Sequence, residues 1–374
     1  MFLSPGDEIM TVRTTLKHIV AWTIKCIFKF AYHDVQIYKA KFRRRFLNSQ
    51  GVVVSDGART HSGGVYAIFL IWQPKALPWY VRNALDALDD AGINVICVVN
   101  HDLTEERLRE LSGLCKTVIV RGNAGFDIGG YKDATIYMFE GESPRRLLYL
   151  NDSVYFFREG LTEMFKRLAT SDADIAGTFE NWEYTYHIQS FCFSVSNRIF
   201  QTREFVDFWN DYLPVNSRLW AINNGEIGLS RAIVPIAHSI EAIFSPNQIR
   251  DHLSKMSMDE IVSLNAYICF GQRLSVFGHK GIPKSVLISE ICNRIALRSQ
   301  IHTGGFLYRR YLRSPLMKRD LLYRLQFSIY EIEKNLTDVG HEGHLSEILS
   351  EMKRKGLGSQ LPLFKRIRFS LGVL

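Results

Sequence analysis

Residues 121–153 read RGNAGFDIGGYKDATIYMFEGESPRRLLYLNDS, a glycine-rich polar turn, a helical stretch, an apolar run and a strand-end acid in succession. Gly125, Gly129 and Gly130 mark backbone that takes positive φ or approaches a ligand closely. Asn123 and Asp127 are then left to point outward, and Tyr131 to Glu140 reads as a short helix. The N-terminal amides of such a helix favour a negative group, so the order suits a phosphate-bearing ligand. Arg146 to Leu150 is expected to be a buried strand. It ends at Asn151-Asp152-Ser153, where open α/β sheets place ligand-contacting residues.

The alternation continues on both sides. Val65 to Trp72 reads as a strand, and Pro78 opens a helix whose Val81, Leu85 and Leu88 recur at i, i+4, i+7. Ile93 to Val99 is a second strand ending at Asn100-His101-Asp102, and Asp102 with Glu105 has the spacing of a helix-capping pair. Thr117 to Val120 is a third strand. Short connections between alternating elements predict an α/β fold, a mostly parallel Rossmann-like sheet flanked by helices. Its strand ends would gather Gln73, Asn100, Asp102, Arg121 and Asp152 on one edge.

Past Ser153 follow a helix with Leu161, Met164, Phe165 and Leu168 on one face, a strand near Asp174 to Thr178, and an aromatic section, Phe179 to Phe193. That section holds Trp182, Tyr184, Tyr186, His187, Gln189 and Ser190, side chains suited to lining sugar rings and equally to building core. Asn223-Asn224-Gly225 reads as a polar turn, with Glu226 at the start of a helix over Ile227 to Ile236.

The 374 residues suffice for one large α/β domain with appendages. Six scattered cysteines without a CxxC pair exclude a disulfide framework or zinc site and fit a reducing, cytoplasmic setting. The net charge of +8 comes from the ends: nine basic against three acidic residues in 1–46, and thirteen against seven in 305–374. The middle is mildly acidic, which excludes a nucleic-acid partner. Within Lys17 to His33, Ile19, Trp22, Ile27 and Phe30 alternate with Lys25 and Lys29, too short and charged a segment to span a bilayer. An amphipathic helix on the cytoplasmic membrane surface is expected, followed by the basic run Lys41 to Arg45. Aromatic and basic residues alternate again from Phe306 to Arg324 and in the terminal LPLFKRIRFSLGVL. Packing of both ends on the globular body is the competing expectation. The expected division is a basic amphipathic segment (1–46), a linker (47–64), a catalytic-type domain (65–300) and a basic helical C-terminal extension (301–374), with a second linker over Arg298 to Gly305.

From Val65 to about Leu287 the chain resembles the rhamnan synthesis protein F family of bacterial polysaccharide biosynthesis. The likeness is carried by Arg121-x-Asn123-x-Gly125-x-Asp127-x-Gly129-Gly130-Tyr131-Lys132, Leu150-Asn151-Asp152-Ser153, His187-x-Gln189-Ser190, Glu226-Ile227-Gly228-Leu229-Ser230 and a shortened Gly281-Ile282-Pro283-Lys284 block. It implies a glycosyltransferase of GT-A-like architecture that takes a sugar from a nucleotide-sugar, dTDP-L-rhamnose, to a lipid-linked glycan acceptor, as in lipopolysaccharide O-antigen synthesis, peripherally on the inner face of the cell membrane. Donor contacts would come from Gln73, Asn100, Asp102, Arg121, Asn123, Gly125, Asp127, Lys132, Asn151 and Asp152, and acceptor contacts from His187, Gln189 and Ser190.

GT-A-like enzymes hold a divalent cation on the diphosphate with a DxD motif, and here Asn151-Asp152-Ser153 carries one carboxylate. Asp152 is the candidate ligand for Mg²⁺ or Mn²⁺. The metal-free alternative has Arg121, Lys132 and the helix N-terminus neutralise the diphosphate. Glu226 resembles the acceptor-side acid of inverting GT-A enzymes and is the expected general base, against a plain helix-start role. The missing second carboxylate also allows a catalytically silent partner that organises a membrane-bound assembly.

Overall fold

The structure, a computed structural model, describes residues 5–46, 52–141, 143–274, 281–340 and 342–357. Its strands are β1 (Val53–Asp56), β2 (Val65–Ile71), β3 (Asn94–Val99), β4 (Thr117–Val120), β5 (Arg146–Asn151), β6 (Val154–Phe156), β7 (Ile175–Gly177), β8 (Glu180–Asn181), β9 (His187–Ile188), β10 (Cys192–Ser196), β11 (Ile240–Ala242) and β12 (Leu316–Lys318). The helices α1 (Pro5–Phe46), α2 (Trp79–Asp90), α3 (Glu105–Ser112), α4 (Phe126–Phe139) and α5 (Leu161–Thr170) frame the first half of the sheet.

The central sheet has the order β1-β4-β3-β2-β5-β10-β7-β11. β2 pairs in parallel with both β3 and β5, and β3 with β4, while β10 runs antiparallel between β5 and β7. Every residue of β2, β3 and β5 is buried, because helices cover both faces. Successive strand residues alternate between two cores. Ala67, Phe69 and Ile71 join Val81, Leu85 and Phe165, whereas Ile68 and Leu70 join Tyr131 and Trp209. The mostly parallel sheet flanked by helices is the α/β, Rossmann-like architecture expected. Build-out reverses direction between β2 and β5, which opens a crevice beyond their C-terminal ends.

Several local expectations are corrected. α4 begins at Phe126, five residues early, so Gly129 and Gly130 lie inside the helix. The turn needs left-handed backbone at Gly125, with φ of 75°. Gly129 and Gly130 serve close packing instead: a Cβ would stand 2.0 Å from the Ala124 carbonyl oxygen and 2.1 Å from Leu70 Cδ1, respectively. α3 is capped by Thr104, whose side chain accepts from the Arg107 amide, and not by Asp102. The segment before Glu226 is no turn. Arg218–Trp220, a π-helical Ala221–Glu226 and Ile227–Ile233 form one continuous helical run, which seats Gly225 against Ile128.

The expected boundaries also shift. Part of the first linker is β1, paired antiparallel with β4. The second linker is helical, with Gln300, Ile301 and Thr303 buried. Phe306, Leu307, Tyr308, Leu316, Met317 and Leu321 belong to the same core as β2, so the residues from 301 onward begin as interior and not as an extension. The terminal 361–374 stretch and the side chains of Ile19, Trp22 and Lys25 lie outside the described residues. The second half of α1 docks on the body: Ala40 packs with Leu213 and Val215, and His33 Nδ1 lies 2.9 Å from Ser217 Oγ. Among the described residues no helix is long and apolar enough to cross a membrane.

Because a methyl group at Gly129 meets backbone, which yields less readily than a side-chain tip, Gly129→Ala is expected to destabilise the fold by about 1–3 kcal/mol despite the better helix propensity. Chemical denaturation of the two proteins measures it, and equal midpoints would remove the close-packing argument.

Candidate functional site

A cavity of about 1280 Å³ opens at the crevice between the β2 and β5 ends. Its wall includes Asn100, Asn123, Asp127, Asn151, Asp152, His187, Gln189, Ser190 and Glu226, nine of the positions expected from the sequence.

β5 delivers Asn151 and Asp152. The Asp152 amide continues the pairing to the Leu70 carbonyl, and its carboxylate Oδ2 accepts from the Trp72 amide at 2.9 Å and from Gln73 Nε2 at 2.5 Å. Gln73 therefore stands behind Asp152 and orients it. Asn151 Nδ2 donates to Asp127 Oδ2 at 3.0 Å, and its Oδ1 accepts from the Ser153 amide. Burial, and then the charge of Glu226, push the Asp127 carboxyl above its ordinary value.

Glu226 faces the cavity from the helical run. Oε1 lies 3.2 Å from His187 Nε2, and Oε2 accepts from both the amide and the hydroxyl of Ser190. Burial opposes its charge, but His187 and Ser190 win and hold it at about 2. His187 donates Nδ1–H to the Thr185 carbonyl at 2.8 Å, which turns Nε2 toward Glu226. Burial lowers its affinity for a proton, Glu226 outweighs that, and the net shift is upward.

Five expected donor contacts lie outside the cavity wall, Gln73 behind Asp152 and four more. Arg121 is buried and donates to Asp133, Asn100 Oδ1 and the Ala124 carbonyl, so it braces the glycine turn. Lys132 Nζ donates to the carbonyls of Asn210 and Tyr212, tying α4 to the C-terminal end of the helix Arg203–Asp211, and burial pulls it down to about 8. Gly125 gives its amide to Asn216 Oδ1 at 2.7 Å. Asp102 lines a separate small cavity with His101 and Arg107. Lys284 of the GIPK block reaches the Ser254 carbonyl, outside the cavity wall. Arg121 and Lys132 thus both donate to groups of the fold, outside the cavity wall.

The cations of the cavity come instead from positions that sequence reasoning assigned to a membrane-seeking tail or passed over: Lys29, Arg218, Arg298, Lys318 and Arg324. β12 pairs antiparallel with β6, which sets Lys318 opposite Val154 and its Nζ 3.0 Å from Ser153 Oγ. Burial pushes the Lys318 ammonium below its ordinary value, against the pull of Asp320, Glu226 and Asp127. A polar chain was also missed, in which Gln189 Nε2 donates to Ser299 Oγ, Ser299 lies 2.7 Å from His302 Nδ1, and His302 Nε2 lies 3.0 Å from Asp320 Oδ1. The basic and aromatic composition around 306–324 carried no signal that separates a surface from a cavity wall.

A divalent cation suits this donor set poorly. Asp152 is the lone carboxylate of the strand end, one of its oxygens already takes two hydrogen bonds, and the Arg319 guanidinium stands 4.0 Å from that oxygen. Among the described residues no three His, Cys, Asp or Glu side chains group as a metal site.

The sequence profile of rhamnan synthesis protein F matches residues 95–295, more than half of the chain. The chain belongs to the rhamnan synthesis protein F family. An uncharacterised protein of Sinorhizobium fredii, y4gN, is 28% identical over 208 residues, covering 54% of each chain, so the chain spans about half the length of this curated relative. Among solved structures, TarS of S. aureus in complex with UDP aligns over 83% of this chain and 88% of its own at 12% identity and a TM-score of 0.34. The mannosyltransferase PcManGT of Pyrobaculum calidifontis, in complex with GDP-Man and Mn²⁺, aligns over 94% and 96% at 9% identity and a TM-score of 0.32.

The His187–Glu226 pair sets a pH dependence. Glu226, lowered from 4.5, contributes stability that is present above its unfolded value and lost as pH falls toward about 2. His187, raised from 6.5, contributes stability that is full below its unfolded value and lost as pH rises through the folded one. The stability advantage of wild type over His187→Gln should therefore shrink as pH rises from about 6 to about 9. Thermal midpoints of both proteins across that range check it, and a constant difference would contradict the charged pair.

Proposed function

We propose that the chain is a glycosyltransferase that moves a sugar from a nucleoside diphosphate donor to a hydroxyl of a growing glycan. The carrying observation is the convergence of amides, carboxylates and ring faces in one cavity at the sheet's switch point. Trp72, 47% exposed where β2 ends, offers a face for the nucleobase, and Tyr184, 78% exposed at the cavity wall, offers one for an acceptor sugar. Gln189 is buried, and its Oε1 has no partner among the described residues, so it is available to a sugar hydroxyl.

In the reaction, the acceptor oxygen forms a bond to the anomeric carbon, and the bond from that carbon to the diphosphate breaks with its electron pair passing to phosphate oxygen. The acceptor proton goes to Glu226. The hydroxyl becomes strongly acidic as its new bond forms, so a carboxylate held near 2 suffices, and His187 and Ser190 fix its orientation. His187, Gln189 and Ser190 shape the acceptor side, while Asn100, Asn123, Asp127, Asn151 and Asp152 shape the donor side. The family membership supports rhamnose as the sugar, dTDP-L-rhamnose as the donor and a lipid-linked glycan as the acceptor.

A peripheral place on the inner membrane face is supported by α1. Phe28, Val35, Tyr38 and Phe42 are about half exposed or more and recur at helical spacing, while Ala40 faces the body. Serine at these four positions should release the protein from anionic phospholipid vesicles in co-sedimentation; undiminished binding would remove the helix from the membrane contact.

Glu226→Gln is expected to lower kcat by about 10²- to 10⁴-fold with donor affinity retained. Wild-type kcat should show no acid limb from this group between about pH 5 and pH 9. Both are read from initial rates with a panel of nucleotide sugars, and a matching loss of donor binding would make Glu226 a positioning residue.

A further inference from the structure

We propose that Lys318 holds the charge position that a divalent cation takes in a strand-end carboxylate motif: its ammonium binds the donor diphosphate and stabilises the charge that develops as the sugar leaves. The inference rests on the nucleotide-sugar reading of the cavity given above.

The placement is built by backbone. β12 and β6 pair in the register Lys318↔Val154, and the Arg319 amide donates to the Ser153 carbonyl at 3.3 Å, so the chain on either side of Lys318 is held. Nζ then meets Ser153 Oγ at 3.0 Å and lies 4.2 Å from the centre of the Phe191 ring, which closes it off on one side. Ser153 is the third residue of Asn151-Asp152-Ser153, where a second carboxylate would stand in a DxD arrangement. A hydroxyl there accepts from an ammonium without neutralising it, and of the three ammonium N–H groups this hydrogen bond uses one.

Arg319, the next residue, points to the other side of the strand end. It donates to the Asp152 carbonyl and to Glu351 Oε1, and it stands 4.0 Å from Asp152 Oδ2. The strand end thus carries two cations fixed by the protein, Arg319 beside the Asp152 carboxylate and Lys318 on the Ser153 hydroxyl, and Lys318 is the one that faces the cavity. Asp320, Glu226 and Asp127 attract the Lys318 charge, against burial and Arg218. When the anomeric C–O bond breaks, its electron pair goes to phosphate oxygen, which Lys318 stabilises by a charge-assisted hydrogen bond, and the acceptor proton still goes to Glu226. No further reactant is required.

The test is calorimetric titration of the full chain with UDP, GDP and dTDP, in EDTA and in Mg²⁺ or Mn²⁺, for wild type, Lys318→Met and Lys318→Arg. Wild type should bind one of these diphosphates equally well in EDTA and in metal, a result that needs no variant. Lys318→Met should lose about 10- to 100-fold in affinity in EDTA, and Lys318→Arg should retain most of it. Binding that requires the metal, and that Lys318→Met leaves intact, overturns this inference while the nucleotide-sugar reading stands. No diphosphate bound under any condition overturns both.

Discussion

Two parallel strands that part company set the rest of this structure. β2 and β5 lie side by side and in register from Val65 to Leu70, and beyond their C-terminal ends the chain leaves in different directions. The last hydrogen bonds of that pairing are unusual in kind: the Trp72 amide finds the carboxylate of Asp152 in place of a carbonyl. A backbone donor at a sheet end must be paired or solvated, and here the pairing fixes an acid at the bottom of the crevice. Gln73 and Arg319 then secure the same carboxylate and carbonyl from two sides. Removing the acid would therefore disturb the strand ends as well as the cavity.

Around this point the protein separates bracing from binding. Arg121, Lys132 and Gly125 have the residue types expected of a phosphate cradle, yet each is committed to holding the glycine turn and α4 in place. The side chains left facing the cavity are mostly amides and carboxylates on the sheet side, with cations brought in by α1, by the helical run at Arg218 and by residues 298–324. Residues 298–326 thus help complete the cavity that residues 70–226 begin. Their apolar members fill the core beneath β2, and their charged members stand at its edge.

The Glu226 environment combines opposing demands. Burial favours the neutral acid, and only a dense set of donors keeps the group ionised. The π-helical turn before it is part of that arrangement, since it shifts the helical run by enough to lodge Gly225 against Ile128 while presenting Glu226 to His187 and Ser190.

Much of the sheet was legible in the chain itself. Apolar runs bounded by polar turns determined β2, β3, β4 and β5 to within a residue or two, because a strand buried on both faces admits few polar residues and so writes its own limits. The residues at those strand ends were legible for the same reason: Asn100, Asn151 and Asp152 follow directly from where the runs stop. What the chain could not express was the partner of each polar side chain. Whether Lys132 meets a ligand or a carbonyl, whether Glu226 opens a helix or continues one, and whether Lys318 belongs to a surface or to a cavity depend on segments up to 165 residues apart brought to within hydrogen-bonding distance. Charge and hydrophobicity are properties of a residue, and they set the elements; the use of a charge is a property of its neighbours, and tertiary packing alone decided it.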